Sequence, residues 1–157
     1  MDNIEICNMT LLDLESISGT LESDFDDFWN VNTLKNELLN PNSKYIVAKL
    51  NNTIVGFAGI WESVDDVHIT NIVVNKIFRK QNIGSLMLSK LIELAKLEPN
   101  ISSITLEVNR NNIAAIKLYE KLGFKVVGLR KKYYNNIDDA IIYTKCLTDA
   151  NYKNWHK

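Results

Sequence analysis

The chain has 157 residues, which suits one compact domain with a buried core. Apolar residues make up 46% of it and charged residues 24%, as in ordinary soluble globular proteins. The 18 Lys and Arg against 19 Asp and Glu give a formal net charge of −1. This balance excludes a strongly basic nucleic-acid binder, because contacts to phosphates need an excess of cations. We therefore expect a soluble protein without a nucleic-acid partner.

The cysteines and the start of the chain bear on compartment and metal binding. Cys7 and Cys146 are too few for a disulfide framework or a four-ligand zinc site. Free thiols in a reducing cytosol are expected, with one bridge between the chain ends as the alternative. Only His68 and His156 accompany them, so we expect no metal centre. The acidic first twenty residues and the lack of a long apolar run predict a cytoplasmic protein with no membrane partner.

The first part of the chain predicts a strand, two helices and a hairpin. Residues 4–6 alternate as a short strand, and Thr10 to Asp13 resembles a capping box that opens a helix. After an acidic stretch, a second short helix stops before Pro41. Residues 45–61 are typical of a β-hairpin that turns at Asn51 and Asn52.

The second part predicts a parallel crossover followed by an antiparallel pair. A strand at 67–74, a helix at 83–97 and a strand at 101–108 form a crossover unit, so the two strands are expected to be parallel neighbours. A helix at 112–122 then ends at Gly123 as a left-handed cap. The predicted elements end with an antiparallel pair of strands at 124–129 and 140–147. We expect one domain over residues 1–147 and a tail over 148–157.

The turn before the helix at residue 83 has the properties of an anion site. A turn entering a helix presents unpaired N–H groups and the positive end of the helix dipole, which suits a pyrophosphate. Gly84 allows close backbone approach, Arg79 and Lys80 add positive charge, and Asn82 can adopt a left-handed conformation. The Walker and three-glycine dinucleotide patterns are absent. A solvated loop with an ordinary helix cap is the alternative interpretation of these residues.

Three blocks of sequence resemble the GNAT acetyltransferase superfamily, and within it the RimI family of ribosomal-protein-alanine N-acetyltransferases. The blocks are residues 69–74 running into 79–85, residues 106–124, and residues 130–135 with 138–142. The turn resembles the acetyl-CoA signature Q/R-x-x-G-x-G/A, with Asn82 in place of the first glycine. The resemblance implies a mixed α/β fold: a mostly antiparallel sheet of about six or seven strands with one parallel splayed pair, flanked by about four helices.

The resemblance also implies where acetyl-CoA binds. The backbone of Ile72, Val73 and Val74 is expected to pair with the pantetheine arm where the parallel strands diverge, and a bulge there to aim the Val74 N–H at the thioester oxygen. Asn112 is a further expected contact, although helix capping alone would explain it. The pyrophosphate is expected to lie against Arg79, Lys80, Gln81, Asn82, Ile83, Gly84 and Ser85.

Two residues are candidates for acid and base catalysis. Glu107 lies in an otherwise apolar strand, where an unpaired carboxylate is costly to bury, and the resemblance implies a general base. A solvent-facing or lysine-paired glutamate is the alternative. Tyr119 is implied as the general acid that donates to the departing sulfur, with core packing as the alternative. Phenols are ordinarily weaker acids than thiols, so hydrogen bonding to the sulfur is more secure than full proton transfer.

The substrate implied by the RimI resemblance is the N-terminal alanine of a small-subunit ribosomal protein. Trp29, Tyr133 and Tyr134 are candidates to line a groove for it, and acidic residues such as Asp138 and Asp139 to attract a basic peptide. Direct transfer in a ternary complex is expected, because neither cysteine lies in the three blocks. A GNAT enzyme for small amines or lysine side chains and a non-catalytic acetyl-CoA-binding module are the alternatives. We expect a monomer or a weak homodimer.

Overall fold

A computed structural model describes residues 3–25, 30–134 and 137–147, with side chains for all of these except Tyr133 and Tyr134. The strands are β1 (Ile4–Asn8), β2 (Ser43–Leu50), β3 (Thr53–Glu62), β4 (Asp66–Val74), β5 (Ser103–Asn109), β6 (Lys125–Tyr134) and β7 (Asp138–Cys146). The α-helices are α1 (Leu11–Ile17), α2 (Leu21–Phe25), α3 (Val31–Leu39), α4 (Ile83–Lys96) and α5 (Ile113–Lys121). A short 3-10 helix, Lys76–Phe78, follows β4.

The strands form one sheet in the order β1-β2-β3-β4-β5-β7-β6. β4 and β5 are parallel, whereas β1 with β2, β2 with β3, β5 with β7 and β6 with β7 are antiparallel. The parallel register joins Asp66 to Ser103, Val67 to Ile104 and His68 to Thr105. Among the described residues this pairing goes no further along β4, so the parallel pair is short. The mixed fold predicted from the sequence is confirmed.

The chain divides into two compact units, of which the first comprises Met1–Glu62 and Thr70–Leu91. One hydrophobic cluster of this unit draws on three helices and two strands, because each presents an apolar face that must be removed from water. The Phe25 and Phe57 rings pack at 5.7 Å between centroids. The buried residues of this cluster are Met9, Leu14, Ile17, Leu21, Phe25, Leu34, Tyr45, Val47, Ile54 and Phe57.

The capping box and the hairpin turn predicted for this unit are both present, whereas one of its helices, α2, was not predicted. The Thr10 hydroxyl accepts a hydrogen bond from the Asp13 N–H at 3.1 Å and the Asp13 carboxylate accepts one from the Thr10 N–H at 2.9 Å, completing the capping box. Asn51 and Asn52 have φ of 51° and 66°, as a tight hairpin turn requires. α2 lies where the sequence indicated only an acidic stretch, since burial of Leu21 and Phe25 outweighs the surrounding charges.

The second unit comprises Ser63–Ile69 and Ile92–Lys157. β7 lies between β5 and β6, so the predicted antiparallel pair also joins the crossover strand. β6 extends to Tyr134, beyond its predicted end at residue 129. Asn112 caps α5 at its start, and Gly123 follows its end with φ of 93°, which confirms the predicted left-handed cap.

Tyr45 is a buried polar anchor for the second half of β4. Its hydroxyl donates to Asn71 Oδ1 at 2.8 Å and hydrogen-bonds with Thr70 Oγ1 at 2.9 Å. The Tyr45 ring lies so close to Gly59 that a Cβ there would come within 2.3 Å of it. Asn71 is buried, so its amide oxygen must be satisfied within the protein, and the Tyr45 hydroxyl is one donor to it. The ring therefore needs a glycine beneath it for the hydroxyl to reach β4.

Replacing Tyr45 by Phe removes this hydroxyl and the hydrogen bond that it donates to a buried acceptor. We expect Tyr45→Phe to lower the free energy of unfolding by about 1–3 kcal/mol, measured by urea denaturation. Thr53→Val is the matched control, because it removes an exposed hydroxyl from the same sheet and should change stability by less than about 0.5 kcal/mol. Equal effects of the two substitutions would contradict the anchoring role of Tyr45.

Candidate functional site

In the first unit, the polypeptide leaves β4 through a closely bonded turn. The Asn75 N–H donates to the Val55 carbonyl at 2.8 Å, and Asn75 Oδ1 accepts from the Ile77 N–H at 3.1 Å. Lys80 and Asn82 then have φ of 66° and 65°. The left-handed conformation predicted for Asn82 is confirmed, and that of Lys80 was not predicted. With one residue between them, Lys80 and Asn82 bend the backbone sharply just before α4. The first N–H groups of a helix have no acceptors within the helix, so they are available to a ligand at this point.

Arg79 braces this turn. Its Nε–H donates to the carbonyl of Val74, the last residue of β4, at 3.2 Å. The sequence predicted Arg79 as a source of positive charge for a phosphate, and the structure adds a role in joining the turn to the strand. Gly84 and Ser85 are half-buried in the first turn of α4, while Lys80, Gln81 and Asn82 are exposed. The polar part of the turn is thus accessible, whereas buried Ile83 anchors the helix.

Gly56 allows a close approach that fixes the end of β4 against α4. A Cβ at this position would lie 2.9 Å from the Val73 carbonyl oxygen and 2.9 Å from the Met87 methyl group. Reasoning from the sequence missed Gly56. A glycine in the interior of an otherwise apolar strand is a general signal of such an approach, and it could have been noticed. Ile72, Val73 and Val74 are half-buried, and the Val73 carbonyl lies against Gly56 of β3, next to the Met87 side chain of α4.

In the second unit, Glu107 lies on β5 opposite Ile142 of β7. Its carboxylate Oε1 is 2.8 Å from Nη2 of Arg130, and its side chain is 26% exposed. The isolated, buried carboxylate expected from the apolar strand is therefore not what the structure shows. The alternative interpretation, a lysine-paired glutamate, is correct in having a basic partner, but that partner is an arginine from β6. Sequence separation hides this pair, because it depends on the insertion of β7 between β5 and β6.

Tyr119 is buried on α5. Its ring packs against Phe124 at 5.9 Å and Tyr143 at 6.4 Å between centroids. Tyr143 in turn donates its hydroxyl to Glu120 at 3.3 Å. Burial raises the pKa of Tyr143, and the negative charge of Glu120 adds to the effect. Core packing thus holds the Tyr119 ring in one place, which is compatible with a chemical role for its hydroxyl.

Asn112 and its loop are joined to the β6–β7 hairpin by the first of two acidic residues. Asn112 Oδ1 accepts from the Ala115 N–H at 3.2 Å as the cap of α5. The Asp138 carboxylate accepts from Asn109 Nδ2 at 3.1 Å and from Asn111 Nδ2 at 3.0 Å. Asp138 therefore holds the loop that carries Asn112, instead of presenting an uncommitted charge to a basic peptide.

Asp139 holds the other side of the hairpin. Its carboxylate accepts from the Lys132 N–H at 2.9 Å and from Arg110 Nη1 at 3.1 Å, and Lys131 Nζ lies 3.8 Å away. Lys132 has φ of 52° within an irregular stretch of β6. The Lys132 N–H holds the pKa of the Asp139 carboxyl below its usual range against the opposing effect of burial, with help from Lys131 and Arg110.

The aromatic candidates for substrate binding are only partly described. Tyr133 and Tyr134 belong to β6, directly after Lys132, and Tyr134 pairs with Asp138, but their side chains lie outside the described part of the structure. Trp29 lies outside the described residues. All three remain predictions.

The described parts of the chain contain no group of three or more His, Cys, Asp or Glu that could hold a metal ion. Cys7 and Cys146 are not joined by a disulfide bond. Helices long and apolar enough to cross a bilayer are also lacking over the described residues.

Asp139 should make stability depend on pH. Because its folded pKa lies below the unfolded value, its stabilising contribution is complete above about pH 5 and is lost as pH falls through the folded pKa. We expect Asp139→Asn to unfold at a lower urea concentration than the parent at pH 7, and the difference to narrow between about pH 5 and pH 3. Asp65→Asn, at an exposed carboxylate, is the control. A difference from the parent that stays constant with pH would contradict this role of Asp139.

The chain matches the acetyltransferase (GNAT) family over residues 9–124. A relative from Bacillus subtilis is 36% identical over 137 residues, which cover 86% of this chain and 90% of the relative. A ribosomal protein bS18-alanine N-acetyltransferase from Haemophilus influenzae is 39% identical over 108 residues, which cover 68% of this chain and 70% of that protein.

Solved structures agree with the sequence relatives. The ribosomal-protein-S18-alanine N-acetyltransferase from Escherichia coli superimposes with a TM-score of 0.84 at 26% identity, covering 94% of this chain and 96% of that one. NAA60 from Arabidopsis thaliana in complex with acetyl-CoA has the same fold, with a TM-score of 0.80 at 17% identity over 92% of this chain and 98% of that one. Since the family match spans well over half of the sequence, this chain belongs to the GNAT family of acetyltransferases.

Proposed function

We propose that this acetyltransferase moves the acetyl group of acetyl-CoA to the α-amine of a protein N terminus, the terminal alanine of a small-subunit ribosomal protein. The observation that carries the proposal is the similarity to enzymes named for alanine acetylation of ribosomal protein bS18. At 39% and 35% identity, the Haemophilus influenzae and Escherichia coli enzymes both extend over about two thirds of this chain. The proposed domain comprises residues 1–147, followed by the tail 148–157.

The turn between β4 and α4 fits the donor substrate. Left-handed residues at positions 80 and 82 bring backbone N–H groups to the start of a 14-residue helix, whose dipole favours an anion there. In the proposal, residues 79–85 hold the pyrophosphate and the backbone of residues 72–74 holds the pantetheine arm. Asn112 supplies a further contact from the start of α5. A solved neighbour with this fold is a complex with acetyl-CoA, which supports the choice of donor.

Glu107 and Tyr119 are assigned the proton transfers. The Glu107 carboxylate takes a proton from the attacking amine, directly or through one water molecule, as the nitrogen bonds to the acetyl carbon. Its partial exposure leaves access for that water. The Tyr119 hydroxyl hydrogen-bonds to the sulfur as the carbon–sulfur bond breaks. Rigid packing of its ring against Phe124 and Tyr143 supports this assignment, because a fixed donor costs no reorganisation during the reaction.

Direct transfer within a ternary complex is proposed over a covalent acyl-enzyme. Cys7 lies on β1 and Cys146 ends β7, and neither belongs to the segments assigned to the donor or to acid–base chemistry. A covalent route would need a thiolate close to the thioester. The proposal thus assigns the amine itself as the nucleophile.

Acetylation of defined amines tests this function. With purified protein and acetyl-CoA, we expect mass spectrometry to show one added acetyl group on the N terminus of a peptide that begins with a ribosomal alanine. The same peptide with a blocked N terminus but free lysines, and a panel of polyamines, should react at least about tenfold more slowly, because they do not present an α-amine on an extended chain.

The variants Glu107→Gln and Tyr119→Phe complete this test. Loss of a general base costs on the order of 100-fold in rate, and loss of the phenol hydroxyl on the order of tenfold or more, with acetyl-CoA binding retained. Faster turnover of polyamines or lysine side chains would favour the small-amine or lysine alternative. Binding of acetyl-CoA without turnover of any amine by the parent would favour the non-catalytic module.

The left-handed backbone at position 82 should matter for donor binding. Valine at φ near 65° is strained, so Asn82→Val should weaken acetyl-CoA binding by roughly tenfold in calorimetry, whereas Asn82→Gly should change it by less than about threefold. Asn51→Val introduces the same strain in the β2–β3 turn, where φ is 51°, and should leave acetyl-CoA affinity unchanged. Similar loss of affinity in the Asn51 and Asn82 valine variants would exclude a specific role for the turn before α4.

A further inference from the structure

We propose that Arg130 is a positioning residue that holds the Glu107 carboxylate in one orientation for proton transfer. This inference rests on the proposed function, because it matters only if Glu107 is the general base. The observation that starts it is the 2.8 Å contact between Arg130 Nη2 and Glu107 Oε1. The contact occupies one oxygen, and we assign Oε2 to the proton of the attacking amine.

The sheet register explains why an arginine makes this contact. Glu107 is opposite Ile142, and Arg130 is opposite Ala140, two residues away on the same strand. Opposed residues share a face of a sheet, and so do alternate residues of one strand, so Arg130 and Glu107 project on the same side. They belong to strands separated by β7, about 9–10 Å apart at the backbone. A long side chain is needed to cross that strand.

The strand between them leaves room for the crossing. Ala140, directly opposite Arg130, has a small side chain. Gly128, which is opposite Ile142, has none, and a Cβ there would lie 3.3 Å from Ile142 Cδ1. Ile142 therefore extends into the space that a side chain at position 128 would fill. On this face of β7, the two residues that the register places opposite Arg130 and Glu107 are one alanine and one isoleucine.

The backbone of Arg130 is held in place, as is the guanidinium group at the other end of its side chain. Arg130 makes the last regular pair of β6 before the irregular stretch that leads to Tyr134. Within that stretch the Lys132 N–H donates to Asp139, which also accepts from Arg110. Asp139 thus holds the β6 backbone two residues beyond Arg130. A guanidinium on a fixed backbone can orient a carboxylate more closely than one on a mobile loop.

The Arg130–Glu107 pair contributes to the rate of acetyl transfer by orienting the Glu107 carboxylate. General-base catalysis needs the carboxylate oxygen within hydrogen-bond reach of the proton or of one bridging water. A glutamate with 26% exposure can otherwise adopt several rotamers, and most of them point away from a given nitrogen. Small errors of placement in a reacting group can cost on the order of 100-fold in rate. The effect of Arg130 should therefore fall on kcat and vanish when the carboxylate is absent.

A double-mutant cycle tests the inference, using acetylation of the alanine-terminated peptide and calorimetry with acetyl-CoA. We expect Arg130→Met to lower kcat by roughly 10- to 100-fold with the acetyl-CoA Kd within about twofold of the parent. In the Glu107→Gln background the same substitution should lower kcat by less than about twofold. Arg130→Lys, which keeps the charge but not the planar fork, should recover part of the loss.

Lys125→Met is the matched control, because it removes a positive charge from an exposed position on the same strand, and it should leave kcat unchanged. Equal losses from Arg130→Met in the parent and in the Glu107→Gln variant would overturn the inference. No loss from Arg130→Met in the parent would also overturn it. If Glu107→Gln itself retains full activity, the assigned base is wrong, and that failure is distinct from a failure of the positioning role alone.

Discussion

The constraint on which the second unit depends is the position of β7 between β5 and β6. β7 begins with two acidic residues that accept hydrogen bonds from the segments on either side. Asp138 accepts from Asn109 at the end of β5, and Asp139 accepts from the backbone of β6. The same insertion places Arg130 two strands from Glu107 and on the same face. The position of β7 therefore determines three features: the placement of the loop that caps α5, the backbone conformation of β6, and which residue pairs with the candidate base.

A second polar centre holds the start of the parallel pair. Asp66 accepts hydrogen bonds from Ser103 Oγ at 2.5 Å and Thr105 Oγ1 at 3.2 Å, and His68 Nε2 lies 3.2 Å from it. The four residues in these contacts form the first and third of the three paired positions of β4 and β5. Parallel pairing is slightly weaker per residue than antiparallel pairing, so side-chain bonds between the strands add support where the ladder is short.

Caps and turns could be predicted from the sequence because they depend on a few adjacent residues. Contacts that depend on the order of strands in the sheet could not. The capping box at Thr10, the asparagine turn at residues 51–52 and the cap at Gly123 each follow from the conformational preferences of a few adjacent residues. The Arg130–Glu107 pair joins residues 23 apart in sequence across an intervening strand, and no periodicity reports such a contact. α2 was missed because tertiary burial of two apolar residues outweighs a stretch of acidic ones.

Asn82 stands where the signature that the sequence resembles has its first glycine. Its backbone is left-handed, with φ of 65°, a conformation that most L-residues rarely adopt and that glycine adopts readily. Asparagine is one of the few side chains that visit this region routinely, since its short amide can hydrogen-bond locally. Glycine would relieve the remaining strain but would also give the unfolded chain more conformational freedom, which offsets part of the gain. Asparagine and glycine can therefore both supply the left-handed conformation that the turn before α4 adopts at this position.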